Sequence, residues 1–164
     1  MIFVSVGTNE ARFDRLLRAV AGLPGGDELL VQHGHSSAIP GDRVELVDFL
    51  TFDAMADAIR RSRVFVTHAG VGSVLVALAN DKRPVVVPRR KAFGEAVDDH
   101  QLQLGRRFAA AGLVTLVEDP AGLAEALAVS EHAAGLTPDA GALAADLREY
   151  LTAAVGRPGV PARA

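Results

Sequence analysis

The chain has 164 residues, enough to bury the core of one ordinary domain without covalent staples. It contains no cysteine, which excludes disulfides and thiolate-held zinc. Its formal net charge of -3 excludes the strong basic excess of a general nucleic-acid binder, and 49% hydrophobic with 23% charged residues describes a globular chain.

Short apolar runs alternate with helix-like stretches along the whole chain. Ile2–Val6 reads as a strand, and Phe13–Leu23 as a helix with Phe13, Leu16, Leu17 and Val20 on one face. Leu29–Gln32 is a second strand. The turn-forming segment His33–Asp42 reads as a loop leading to a third strand, Val44–Leu50. Phe52–Arg61 is expected to be helical, with Met55, Ala58 and Ile59 inward and basic residues at the end the helix dipole favours. Strand Val64–Thr67, helix Val74–Ala79 and strand Pro84–Val87 follow. A polar segment, Arg89–Gln101, leads into helix Gln101–Ala111, strand Leu113–Val117 and helix Ala121–Val129. The last helix is expected over Pro138–Val155, with residues 156–164 as a mobile tail.

Most of these strands are β-branched and nearly continuously apolar, as strands covered on both faces are. The β-α-β rhythm predicts an α/β fold: one Rossmann-like domain over residues 1–155 with a mainly parallel sheet and helices on both faces. There is no internal repeat and no linker that divides the chain. No apolar run approaches the roughly 18 residues of a membrane span, and the N-terminus shows no leader pattern, so a cytoplasmic protein is expected.

In a parallel sheet the loops after the strands emerge at one edge, and ligands bind there. The sharpest local signal is His68-Ala69-Gly70-Val71-Gly72-Ser73, which ends a strand and opens a helix. Glycines let backbone approach a ligand, and the free amides of a helix start attract an anion. The motif reads as a diphosphate cradle, with a tight packing turn as the alternative. His68 is either a ligand contact or a structural strand-end residue. Gly7-Thr8-Asn9 ends the first strand and is either a phosphate or acceptor contact or a helix-cap region. In the polar segment, Arg89 and Arg90 offer charge to phosphate, while Glu95, Asp98, Asp99 and Gln101 offer groups for sugar hydroxyls; caps and a solvated turn are the alternatives. A metal site at Asp98, Asp99 and His100 is disfavoured because adjacent residues chelate poorly together on a helix. Two other phosphate patterns are missing. A dinucleotide fingerprint needs a third glycine near Leu75, and no Gly-Lys-Ser/Thr loop occurs.

Taken in order, Ile2–Thr8, Phe13–Leu16, His68–Ser73, Pro84–Arg89 and Asp98–Gln101 resemble the C-terminal, nucleotide-sugar-binding domain of family 28 glycosyltransferases, one half of a GT-B fold. The resemblance is nearest to single-domain members, the small subunits of split bacterial exopolysaccharide glycosyltransferases and of the dolichol-linked N-acetylglucosaminyltransferase. It implies that His68, Gly70, Gly72 and Ser73 hold the donor diphosphate with Gly7 and Thr8 lining the same cleft, that Phe49 and Leu50 abut the uracil, and that Arg89 neutralises phosphate. His100 and Gln101 fall at the donor sugar, joined there by Glu95 and Asp99 from the reading of the polar segment, and His100 is a weak candidate for the base. Many members carry a ribose-binding glutamate three residues after the position of Ser73; here Val76 stands there, with Glu95 as a substitute.

The implied function is that of a donor-binding subunit of a split inverting transferase. It would move a hexose-type sugar (GlcNAc, Gal or GlcA) from a UDP-sugar to a lipid-linked acceptor. No cofactor or metal is implied. The acceptor site and base would lie on a membrane-anchored partner that holds the chain at the inner face of the membrane. The alternatives are a non-catalytic nucleotide-binding module, an NAD(P)-binding protein and, needing both halves, a sugar-nucleotide epimerase.

Overall fold

The computed structural model describes residues 1–130. The expected helix Pro138–Val155 and the tail lie outside the described residues. Within them, eleven regular elements follow the predicted order: β1 Ile2–Ser5, α1 Asp14–Ala21, β2 Leu29–Gln32, β3 Val44–Val47, α2 Phe52–Arg61, β4 Val64–Thr67, α3 Val71–Ala79, β5 Val85–Val86, α4 His100–Ala110, β6 Thr115–Leu116 and α5 Leu123–Ser130. Short 3-10 turns occupy Lys91–Phe93 and Pro120–Gly122. The segment between β2 and β3 is a loop, as its turn formers predict.

All six strands are parallel, in the order β3-β2-β1-β4-β5-β6. The central strands β1, β2, β4 and β5 are buried throughout, whereas edge strands β3 and β6 are half-exposed. That difference explains why the central runs are solidly apolar while β3 admits Glu45.

Alternation along each strand sorts the core into two layers. Ile2, Val4, Val64, Val66 and Val85 face α1 and α5, meeting Leu16, Leu17, Val20, Leu123 and Leu127. Phe3, Leu30 and Phe65 face Ala58, Ile59 and Ala77 of α2 and α3, with the Phe3 and Phe65 rings stacked at 5.0 Å. Val86 faces α4 through Leu104 and Phe108. Helix α2 begins where Thr51 caps it by accepting from the Ala54 amide, with Asp53 in its first turn and Arg60 and Arg61 in its last.

On the α2/α3 side the pattern turns polar at the last residue of three neighbouring strands. Gln32, Ser5 and Thr67 stand in register across β2, β1 and β4. All three are buried. This polar row lies at the carboxyl ends of the strands, beside the β1/β4 boundary where the strand order reverses. The cleft opens there.

Candidate functional site

The cleft measures ≈ 410 Å³, within the usual range of small-molecule sites. Its floor is the polar row. The Ser5 hydroxyl donates to Gln32 Oε1, and Gln32 Nε2 donates to the carbonyls of Gly7 at 3.2 Å and Asp48 at 3.3 Å. Thr67 Oγ1 donates to the Ser5 carbonyl at 3.1 Å. These bonds satisfy buried polar groups and brace the chain as it leaves β1.

One wall is the β4–α3 turn. Helix α3 starts at Val71 behind an uncapped Gly70, so no side chain occupies its first amides. It carries no acidic residue in its first turn. A helix start of this kind presents free N–H groups and the positive end of the macrodipole. The glycines of the turn have different duties. A Cβ on Gly70 would sit 2.9 Å from both ring nitrogens of His68 and closer still to Cε1, whereas a Cβ on Gly72 would meet nothing within 4 Å. Gly70 therefore makes room for the imidazole, and Gly72 leaves open ground toward the cleft.

His68 is wedged between two glycines. A Cβ on Gly7 would come within 2.9 Å of its Cδ2 and nearer to Nε2, and Gly7 also has a φ of +79°, a conformation glycine adopts without strain. Nε2 stands 3.5 Å from Ser73 Oγ, while Nδ1 is buried with no hydrogen-bond partner. Burial first, and then the nearby Arg89 charge, push the imidazole down to about 4, with the neighbouring Gln101 side chain working the other way. Free of ligand, His68 is neutral at physiological pH.

The opposite corner is Gln101, the second residue of α4. Its Oε1 accepts from the Ala69 amide and the Arg89 amide, each at 3.2 Å. The carboxamide thus ties the β4–α3 turn to the exit of β5, and its orientation is fixed because both partners are donors.

The structure brings together Gly7, Thr8, Leu50, His68, Gly70, Gly72, Ser73 and Gln101 around this cleft. Asn9 of the Gly7-Thr8-Asn9 segment lines it too, and the structure adds Ser5, Gln32 and Met55, which are not among the expected site residues. A polar residue closing an otherwise apolar strand is the signal that marks Ser5 and Gln32.

Five expected residues stand elsewhere, and Arg89 is the clearest correction. Its side chain is fully buried, stacked over Phe13 at 4.7 Å, and donates to the carbonyls of Val6 at 2.8 Å, Ala11 at 2.7 Å and Glu95 at 3.1 Å. Its guanidinium clamps two loops together and does not reach a phosphate in the cleft. Glu95 is likewise buried, bound bidentately by Arg15 at 2.9 Å to each oxygen and by the Arg90 amide at 2.9 Å. A carboxylate so buried and paired, and outside the cleft lining, is not placed to bind ribose or donor sugar. Asp99 accepts from the Lys91 amide at 3.1 Å and pairs with Arg90. His100 is exposed and pairs with Asp98, whose carboxyl is held below its usual range chiefly by the His100 amide. Neither Asp99 nor His100 lines the cleft. Phe49 is also outside the lining, half-exposed and edge-on to His35 at 5.4 Å, while its neighbour Leu50 is inside. Among the described residues, no group of three or more His, Asp or Glu side chains could hold a metal ion.

A single Rossmann-like unit with an uncapped helix start at its switch point has the architecture on which nucleotide-binding domains are built. The profile of the glycosyltransferase family 28 C-terminal domain matches residues 1–139, and the chain belongs to that family. No curated protein matches it in sequence. Solved glycosyltransferase structures share the fold, two of them as follows. The calicheamicin glycosyltransferase CalG4 superposes with a TM-score of 0.57 at 20% identity, over 95% of this chain and 44% of that one. The glycosyltransferase of kitacinnamycin superposes with a TM-score of 0.51 at 22% identity, over 91% of this chain and 42% of that one. The chain thus spans less than half the length of these GT-B enzymes. Among the described residues no helix is long and apolar enough to cross a membrane.

Proposed function

We propose that this domain is the donor half of an inverting glycosyltransferase that takes its sugar from a UDP-sugar. The observation that carries the reading is the open start of α3: Gly72 leaves clear ground beside free helix amides inside a cleft of ≈ 410 Å³ at the sheet's switch point. The diphosphate is bound there by main-chain N–H groups and Ser73, with Thr8 on the facing loop. Leu50 and Met55 supply the apolar wall for the base, and Gln101 faces the donor sugar. The chemistry assigned to this half is binding and orientation, and stabilisation of the leaving diphosphate by fixed dipoles. It needs no metal for that task.

We infer, on the resemblance to split family members, that the acceptor and the base lie in the other half of a GT-B enzyme, carried by a membrane-associated partner with a lipid-linked acceptor, and that a hexose such as GlcNAc, Gal or GlcA is transferred. Arg89 and His100 have no part in the transfer.

Calorimetric titration with UDP, with NADPH as control, tests the donor reading. UDP binding without NADPH binding is expected. NADPH binding, or no heat with UDP and with UDP-sugars, refutes it. Sugar transfer by the purified chain alone would refute the divided arrangement while leaving the donor site in place.

A further inference from the structure

Among the described residues, the cleft lining contains no arginine, lysine, aspartate or glutamate, and its one titratable side chain is His68. A nucleoside-diphosphate sugar brings two negative charges into this space. Helix amides offset part of that charge, and among the described residues no cationic side chain lines the cleft to meet the remainder. His68 is the group placed to respond, because Nε2 lies beside Gly7 and Ser73 at the start of α3.

We propose that the donor diphosphate binds together with a proton, taken up by His68, so that the cation of this site is made on binding. This rests on the donor reading given above.

The charges around the ring allow it. Helix α3 contains no ionisable residue, and the β1 exit contributes Ser5, Gly7, Thr8 and Asn9. Arg89, on the β5 exit, is the one charge that bears on the imidazole, and it opposes protonation. At the start of α4, Asp99 and His100 are engaged by Arg90 and Asp98. Without ligand the ring is therefore held neutral. One phosphoryl charge about 4 Å away, at an effective dielectric of about 20, favours the imidazolium by about a thousandfold. That is the size needed to reverse the suppression of a histidine at about 4 and return it to the neutral range.

The probe is UDP-N-acetylglucosamine, whose two phosphoryl groups do not titrate near neutrality, unlike free UDP. Titrations in PIPES and in Tris at one near-neutral pH separate the heat of buffer ionisation from that of binding. The expected result is uptake of a large fraction of one proton per donor bound, with affinity rising about fivefold to tenfold from about pH 7 to about pH 6. In the His68→Gln variant the uptake disappears and the affinity is flat with pH. Because that variant disturbs the seat between Gly7 and Gly70, the wild-type ring is also followed directly by NMR. Its carbon-bound proton signals should move toward the imidazolium position when the probe is added at constant pH. Binding without uptake, or a ring that stays neutral in the complex, overturns the proposal and leaves the donor reading intact. Absence of binding at every pH overturns both.

Discussion

Two glycines of one turn, two residues apart, are expected to respond oppositely to the same methyl group. In Gly70→Ala the new Cβ meets the His68 ring at 2.9 Å from both nitrogens and closer at Cε1. The ring cannot simply slide away, because Nδ1 is buried and the opposite side of the ring is in contact with Gly7. Overpacking of this kind costs about 1–3 kcal/mol. For a chain of this length that is a fall in Tm of about 3–9 °C. In Gly72→Ala the Cβ meets nothing within 4 Å, and the residue lies in the first turn of α3. Stability should be unchanged or higher by up to about 0.5–1 kcal/mol, because alanine loses less backbone freedom on folding. The added methyl projects where the diphosphate is proposed to bind, so UDP affinity should fall at least about tenfold, a loss of about 1.4 kcal/mol. Thermal unfolding followed by circular dichroism, with calorimetric titration of UDP on the same samples, reads both quantities. If Gly72→Ala binds UDP as well as the parent, the placement of the anion at α3 is wrong. If Gly70→Ala unfolds within a degree of the parent, the wedge account of His68 is wrong.

Three other outcomes follow from buried polar groups. Arg89→Met should cost about 3–5 kcal/mol by urea unfolding, because it strands three carbonyls. Lysine at that position should rescue little, since one ammonium cannot fork to those acceptors. The ligand-free protein should lose stability as pH falls from about 6.5 toward 4. Burial lowers the folded-state value of His68 to about 4, so the unfolded chain binds the extra proton in that window. The loss is at most about 3 kcal/mol, measured as the difference between the parent and His68→Gln across the same pH range. Gln32→Leu should destabilise by about 1–3 kcal/mol through the unpaired Gly7 carbonyl and the Ser5 hydroxyl that loses its acceptor. It should weaken UDP binding without introducing a clash, which fluorescence-monitored unfolding and calorimetry would separate.

The strands were legible because burial on both faces writes itself as an unbroken apolar run, as in Phe3-Val4 and Phe65-Val66, and local sequence carries that message. The β4–α3 turn was legible because its glycines and its serine are adjacent in sequence. Arg89 was not. Beside Arg90 it looks like a charge in a polar loop, yet the carbonyls that surround it come from Val6 and Ala11, about eighty positions earlier. Glu95 misled for the same reason, since its partner is Arg15. Gly70 shows an intermediate case. Glycine was required there, but to accommodate a neighbouring imidazole, a contact that spacing along the chain does not reveal.

The guanidinium of Arg89 has a mechanical consequence. It holds the segment leaving β1 at Val6 and Ala11, and the segment leaving β5 at Glu95, from a single buried point. Two rims of the cleft are thereby pinned to one rivet, and neither can loosen without releasing the other. Transient openings of this edge should be concerted events. The entropy of ordering both rims is then lost when the chain folds, before any donor arrives.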